Sequence, residues 1–232
     1  MKLRPRQQIG SIPWKPECYG HSELGQPLEF WRPRGTCEIL VFAGIHGEEP
    51  ETTLGLSRAL RQLSEPPLNC AVVLAANPDG LVRGTRGNAR GVDLNRNFPT
   101  KDWRPDAVAH RSTMEDPQDI LLSPGSGPAS EKETQALVRL IGELQPRDVV
   151  ALHAPLACID DAKGGPLAQR LAQRTGLPLV EYIGYPTPGS FGTWGGEQGI
   201  GVVTYEFPLA TTDAIVRDQV PVLVELIGGF SP

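Results

Sequence analysis

The chain lacks long apolar runs, and it contains few aromatic residues and few cysteines. Of its 232 residues, 6% are aromatic and four are cysteine. No stretch approaches the ~20 apolar residues that span a bilayer. The first residues are partly basic but contain no apolar segment of signal-peptide length. We therefore expect no membrane segment and no export signal, and hence a cytoplasmic location.

The cysteines are scattered and include no CxxC pair. Cys37 and Cys70 lie in apolar runs, where a buried reduced thiol is expected. A chain of this length does not need disulfides to stabilise its core. We therefore expect free thiols.

A basic balance is also absent, since the formal net charge is −5. No run of Lys or Arg could neutralise a row of phosphates, which argues against a nucleic acid or an anionic membrane as partner. The hydrophobic content of 39% is ordinary for a globular protein and is sufficient for a sizeable core.

Apolar runs alternate with helical patterns along the chain. The runs are near-continuously hydrophobic, which is typical of strands buried on both faces. They occupy residues 37–44, 70–76, 148–153, 178–183 and 201–207. The helical patterns occupy residues 50–63, 131–144, 165–175 and 213–227. This alternation predicts an α/β fold, in which a mostly parallel or mixed central β-sheet is covered by helices on both faces.

We predict one catalytic domain over residues 1–232, with a core at about 18–227. Residues 98–129 are rich in Pro, Gly, Ser and Asp and lack apolar periodicity, which predicts a long surface loop rather than a linker. Ser130 and Glu133 have the spacing of a capping box at the start of the following helix.

His46 and Glu49 form an HxxE pair directly after the first predicted strand. Gly44 and Gly47 allow the backbone to turn sharply there, so that both side chains can point the same way. His153 closes the third predicted strand, and ligands of open α/β sheets gather at the carboxyl ends of strands. Two imidazoles and a carboxylate can hold Zn²⁺ and leave one coordination position open for water.

Each of these residues also has a simpler interpretation. A single HxxE match arises by chance in about one chain in four, and acidic residues favour the positive end of a helix without binding metal. We keep that simpler interpretation for Glu48, whereas the context favours Glu49 as a ligand. A lone histidine at a strand end, such as His153, more often binds nothing. His21 and His110 have no comparable setting and are interpreted as structural.

The stretch GVDLNRNFP at 91–99 extends this pattern. The order of HxxE, Arg, Asn-Arg, a distal His and a Glu near the C-terminus resembles that of the zinc carboxypeptidase family, of the carboxypeptidase A type. The matching residues are His46, Glu49, Arg86, Asn95, Arg96, His153 and Glu206. The resemblance implies a hydrolase with one Zn²⁺ per chain, held by the HxxE pair and the distal His, that acts on a small peptide.

The resemblance also implies catalytic roles for Glu206 and Arg86. Glu206 ends the apolar run VVTYEF and is expected to be the general base, because partial burial raises a carboxyl pKa. Arg86 resembles the residue that stabilises the oxyanion. Arg83 and Arg90 lie close in sequence and remain rivals for that role.

Asn95, Arg96 and Tyr185 are the implied substrate-binding residues. A guanidinium meets a carboxylate bidentately, so Arg96 with Asn95 would bind the terminal carboxylate of the substrate. Tyr185 begins the segment YPTPGSFGTW and resembles the tyrosine that closes on bound substrate. A packed surface loop is the alternative interpretation of this segment.

Within the family, the chain is most similar to the short bacterial amidases that act on murein peptides. The supporting stretches are NPDG at 77–80, GVDLNRNFP at 91–99, HAPLACID at 153–160, GYPTPGSFGTW at 184–194 and TYEFP at 204–208. This similarity implies hydrolysis of the γ-D-glutamyl-meso-diaminopimelate bond of murein tripeptide or muramyl tripeptide during cell-wall recycling. The alternatives are a carboxypeptidase for ordinary peptides, an N-acyl amino acid deacylase and a non-catalytic peptide binder.

Diaminopimelate carries a second zwitterionic end, which requires polar contacts beyond Arg96. The candidates are Asp160, Asp161, Thr193 and Glu197. A solvated loop side chain is the simpler interpretation of each one, and the sequence leaves all four open.

Overall fold

The protein is described by a computed structural model that covers residues 3–111 and 119–230. Its strands are β1 (Glu17–His21), β2 (Pro27–Phe30), β3 (Ile39–Phe42), β4 (Cys70–Val73), β5 (Val108–Arg111), β6 (Asp119–Leu122), β7 (Asp148–His153), β8 (Leu156–Asp160), β9 (Leu179–Val180) and β10 (Gly201–Pro208). Its helices are α1 (Pro50–Gln62), α2 (Pro78–Arg83), α3 (Lys132–Leu144), α4 (Pro166–Thr175), α5 (Phe191–Glu197), α6 (Thr212–Asp218) and α7 (Val220–Gly228). Short 3₁₀ turns lie at Arg6–Gln8 and Leu94–Arg96.

A six-stranded mixed sheet with the order β4-β3-β7-β10-β8-β9 occupies the centre of the fold. Strands β4, β3, β7 and β10 are mutually parallel, whereas β8 pairs with β10 in the antiparallel direction. The carboxyl ends of the four parallel strands therefore meet at one edge of the sheet, and β8 begins at that edge.

Helices cover both faces of this sheet, which confirms the predicted fold class. On one face Val41 and Val150 pack in a core with α1, α4, α6 and α7. On the other face Phe42 and Ala151 pack in a core with α3 and α5. Since successive strand residues point to opposite faces, each buried strand contributes to both cores.

Several local predictions differ from the structure. The helical pattern at 213–227 is divided into α6 and α7, because Pro221 lies in the first turn of a new helix. Within residues 98–129, β5 and β6 form a hairpin rather than loop alone. The capping box is also wrong, since α3 begins at Lys132 and the Ser130 hydroxyl bonds instead to the Glu131 carboxylate.

All four cysteines are free, as expected, and three of them are buried. Among the helices of the described residues, none is both long enough and apolar enough to cross a membrane.

The turn that carries the HxxE pair depends on two glycines. Gly44 follows β3 with φ of 62°, a left-handed conformation that favours glycine. At Gly47 the backbone lies directly against α2, where an added Cβ would be 2.0 Å from the carbonyl carbon of Gly80. The loop that bears His46 therefore packs directly against the backbone of α2.

The substitution Gly47→Ala is therefore expected to destabilise the protein by about 2–4 kcal/mol, because a backbone would have to move to relieve the clash. The matched control is Gly142→Ala, at an exposed helical position with no atom within 4 Å of the added Cβ. This control should stabilise by about 0.5–1 kcal/mol. Chemical denaturation measures both, and equal stabilities of the two variants would contradict the close contact at Gly47.

Candidate metal centre and active site

His46, Glu49 and His153 meet at the carboxyl edge of the sheet, and all three are buried. His46 follows β3, Glu49 is the N-cap residue of α1, and His153 is the last residue of β7. Their potential ligand atoms all lie within 4.8 Å of one another. Residues more than a hundred positions apart in sequence thus form one compact group.

The spacing of these atoms fits a single divalent ion. His46 Nδ1 is 2.7 Å from Glu49 Oε1 and 3.2 Å from His153 Nδ1. His153 Nδ1 is 3.2 Å from Glu49 Oε2. Tetrahedral bonds of about 2.0–2.1 Å separate ligand atoms by about 3.3 Å. The chemistry of the set, two imidazole nitrogens and a carboxylate with cavity on one side, matches zinc and leaves room for a water ligand.

Asp93 contacts the ring nitrogen of His46 that faces away from Glu49, a contact that was not predicted from the sequence. Asp93 Oδ1 is 3.2 Å from His46 Nε2, the nitrogen opposite the one that faces Glu49. A carboxylate at the second nitrogen orients a ligating histidine and selects its tautomer. The stretch VDLNRNF contains Asp93 two positions before Asn95, and this closeness to the Asn-Arg pair was the available signal.

The same carboxylate holds Arg86 in place. Arg86 Nε donates to Asp93 Oδ2 at 3.1 Å, and Nη1 lies 3.2 Å from Glu48 Oε1 and 3.4 Å from Glu49 Oε1. Burial opposes the charge of Arg86, but these three carboxylates outweigh it and raise the arginine pKa. Burial likewise opposes the charge of Asp93, whereas Arg86 and His46 lower its pKa well below the usual value. Both groups are therefore fixed in their charged forms.

The rival arginines lie outside this arrangement. Arg83 donates to the carbonyl of Ala89, and the exposed side chain of Arg90 lies 3.7 Å from Glu131. Neither lines the cavity beside the metal-binding group, whereas Arg86 does.

Glu48 and His110 lie closer to the site than the sequence suggested. His110 Nε2 is 3.0 Å from Glu48 Oε1, which also contacts Arg86, and His110 lines the cavity. His110 is not part of the metal-binding group, but it lies at the cavity wall, which the sequence did not indicate. Its position depends on the β5–β6 hairpin, which had no periodic signal. His21 lies exposed on β1, away from these residues.

Glu206 lies next to His153 across the parallel β7–β10 pair. Its side chain is buried, and the backbone N–H of Leu156 donates to its Oε2 at 3.3 Å. Burial raises the pKa of Glu206, although the neighbouring His153 opposes the shift. A desolvated carboxylate with one weak donor is well suited to accept a proton.

Arg96, Asn95 and Tyr185 line the same cavity of about 430 Å³. Arg96 is buried, its Nη1 donates to the backbone oxygen of Asn95, and its Nε has no protein partner. Burial lowers its pKa, although the charge of Asp93 opposes this shift. The Asn95 side-chain oxygen accepts from the N–H of Phe191. Tyr185 is half exposed at the rim of the cavity.

Comparison with known proteins agrees with this geometry. The family model described as zinc carboxypeptidase matches residues 20–156. Murein peptide amidase A of Escherichia coli (strain K12) is 44% identical over 214 residues, which are 90% of this chain and 88% of that protein. Murein peptide amidase A of Vibrio campbellii (strain ATCC BAA-1116) is 36% identical over 98% of this chain and 93% of its own length.

A solved structure supports the same assignment. The crystal structure of a murein-tripeptide amidase from Escherichia coli O157 superimposes with a TM-score of 0.93 at 41% identity, covering 100% of this chain and 99% of that one. Fold and site define a zinc-dependent hydrolase. The chain belongs to the zinc carboxypeptidase family, and its murein peptide amidase relatives match it over nearly its full length.

Loss of the Asp93 charge should weaken metal binding while the fold is kept. We expect Asp93→Asn to lower zinc affinity by about 10- to 100-fold, since the carboxylate no longer polarises and orients His46. Competition with a zinc chelator of known affinity measures the change.

The matched control is Asp79→Asn, a buried aspartate that accepts hydrogen bonds from Ser22 and Leu24 rather than from a histidine. Its zinc affinity should stay close to that of the wild type even if its stability falls. An equal loss of affinity in both variants would contradict a specific role of Asp93.

Proposed function

We propose that the chain hydrolyses the γ-D-glutamyl-meso-diaminopimelate bond of murein tripeptide. The observation that supports this most directly is the buried Arg96 guanidinium, whose Nε has no protein acceptor and which lies in the same cavity as the metal-binding group. A buried cation of this kind is matched by a substrate carboxylate. The names of the relatives add the murein peptide as the substrate class.

The proposed metal ligands are His46, Glu49 and His153. They would hold a zinc ion, which when bound would lower the pKa of a water ligand toward ~7 and polarise the scissile carbonyl. The protein's part is to keep the three ligands pointed at one place, through the Asp93 contact to His46 and the short sequence spacing of Glu49.

Glu206 is the proposed general base and acid. It takes a proton from the attacking water and returns it to the nitrogen of the departing amino acid. The C–N bond then breaks, and the amino acid leaves as a neutral amine. Its raised pKa narrows the gap to the pKa of the water and makes acceptance of the proton easier.

The two arginines act at opposite ends of the scissile group in this proposal. Arg86 is held by Asp93 and Glu48 at the wall of the cavity, where a fixed cation stabilises the negative oxygen of the tetrahedral intermediate. Arg96 binds the carboxylate of the leaving residue, with the amide of Asn95 beside it, and so sets which bond reaches the metal. Tyr185 closes over the bound substrate from the rim.

The substitution Glu206→Gln is expected to lower kcat by about 10²- to 10⁴-fold, because the amide cannot accept the proton. Zinc content should remain at that of the wild type, since Glu206 is not one of the proposed ligands. Turnover assays and metal analysis of the same preparation test both points. Near-normal turnover would remove Glu206 from the mechanism, and loss of zinc would make it a ligand.

The substrate is tested by incubation of the purified enzyme with muramyl tripeptide and, separately, with ordinary dipeptides. We expect free diaminopimelate from the first, loss of this activity with a chelator, and recovery with Zn²⁺. Amino-acid analysis of the products is the measurement. Cleavage of the ordinary peptides alone would favour a general carboxypeptidase, and release of amino acids from N-acylated substrates alone would favour a deacylase.

The proposal places this reaction in cell-wall peptide recycling by one catalytic domain over residues 1–232. The cytoplasmic location stays a prediction from the sequence.

A further inference from the structure

Four polar residues were open candidates for reading the distal end of the leaving amino acid, and the structure separates them. The Glu197 carboxylate is exposed and accepts from the backbone N–H of Lys101. Both oxygens of Asp161 accept backbone N–H groups at 2.8 Å, from Lys163 and Gly165, and so stabilise the turn before α4. All four carboxylate oxygens of Glu197 and Asp161 thus already accept hydrogen bonds within the protein.

Thr193 is also engaged locally. Its hydroxyl accepts from the Ser190 hydroxyl at 3.0 Å in the first turn of α5. Asp160, by contrast, lines the cavity, and among the described residues no donor or cation lies within bonding distance of its carboxylate. Burial raises the pKa of Asp160, and the charge of Asp161 adds to this shift. A cation brought by a ligand would relieve both effects.

The sheet places Asp160 on the same face as the catalytic machinery. In the antiparallel pair of β8 and β10, Asp160 is opposite Thr204, just as Cys158 is opposite Glu206. Positions two apart on a strand share a face, so Thr204 and Asp160 follow Glu206 along one wall of the cavity. The side chain of a residue held at the metal can extend along this wall.

The distances along the wall suit diaminopimelate. Two residues of strand separate Glu206 from Thr204, which is about 6.6 Å. The two stereocentres of diaminopimelate are joined by four carbon–carbon bonds, which span about 5 Å when extended. With its first centre beside Glu206 and Arg96, the second centre lies near the level of Asp160 and Thr204.

We infer that Asp160 is the residue that selects the leaving amino acid, by binding the ammonium group at the distal end of its side chain. The inference rests on the proposed function. It adds a specificity-determining carboxylate on β8 to the proposed metal ligands and arginines. A charge-assisted contact of this kind, in a partly desolvated position, is worth about 10- to 100-fold in kcat/KM.

The test compares two substrates that differ only at the distal ammonium. One is the γ-D-glutamyl peptide of meso-diaminopimelate, and the other is the same peptide of 2-aminopimelate, which keeps the distal carboxylate but lacks the amine. Wild-type enzyme should prefer the first by about 10- to 100-fold in kcat/KM. In Asp160→Asn this preference should fall to within about threefold, through loss of activity on the diaminopimelate peptide alone.

The matched control is Glu197→Gln, which changes the net charge by the same amount at an exposed position outside the cavity lining. It should keep the wild-type preference. The inference is overturned if Asp160→Asn lowers activity on both peptides equally, which would indicate a structural role, or if it keeps the wild-type preference. A wild-type enzyme that cleaves neither peptide would instead overturn the proposed function itself, and this inference with it.

Discussion

The carboxylate of Asp93 is the contact on which the geometry of the site depends. One of its oxygens faces His46 and the other accepts from Arg86, and all three groups are largely removed from water. A zinc ion and a guanidinium held so close together would repel each other without an intervening negative charge. Asp93 supplies this charge and also contacts the ring of His46, so the proposed metal site and the proposed oxyanion-binding cation share one support.

The mixed sheet explains why the rest of the machinery lies within reach of that support. The parallel strands deliver His46, His153 and Glu206 to one edge, with Glu206 directly opposite His153 in the β7–β10 pair. Strand β8 begins at this edge and runs antiparallel to β10. It therefore places Asp160 on the same face as Glu206, further from the edge. The proposed metal ligands thus lie at the edge of the sheet, whereas the proposed substrate contact Asp160 lies along its face. The close approach of Gly47 to α2 holds the first ligand loop against this edge.

The fold class could be predicted from the sequence, because buried strands have a local signal. A strand-end histidine such as His153 has no such signal, and its convergence with His46, Glu49 and Glu206 was expected from the ordered motif of the family. The β5–β6 hairpin, the short α2 and α5, and β8 could not be predicted, since each is too short or too polar for a periodic pattern. The position of His110 depends on that hairpin and was therefore missed. The sequence also left Asp160 level with its rivals, because they differ in whether their carboxylate oxygens already accept hydrogen bonds. The donors can be remote in sequence, as Lys101 is for Glu197.

Three charged groups of the cavity keep unused bonding capacity, and this capacity is consistent with the proposed ligand. Arg96 has a buried donor that no protein acceptor meets, Glu206 is desolvated with a single weak donor, and Asp160 has no cation beside it. Each arrangement costs free energy in the free protein, because a buried charge without a partner is poorly solvated. A ligand that brings a carboxylate to Arg96 and an ammonium to Asp160 offsets these costs, whereas a ligand with an apolar side chain leaves the cost at Asp160 in place. Selectivity would then have two sources of similar weight. The correct leaving group makes a contact to Asp160, and a leaving group without an ammonium leaves the Asp160 charge uncompensated.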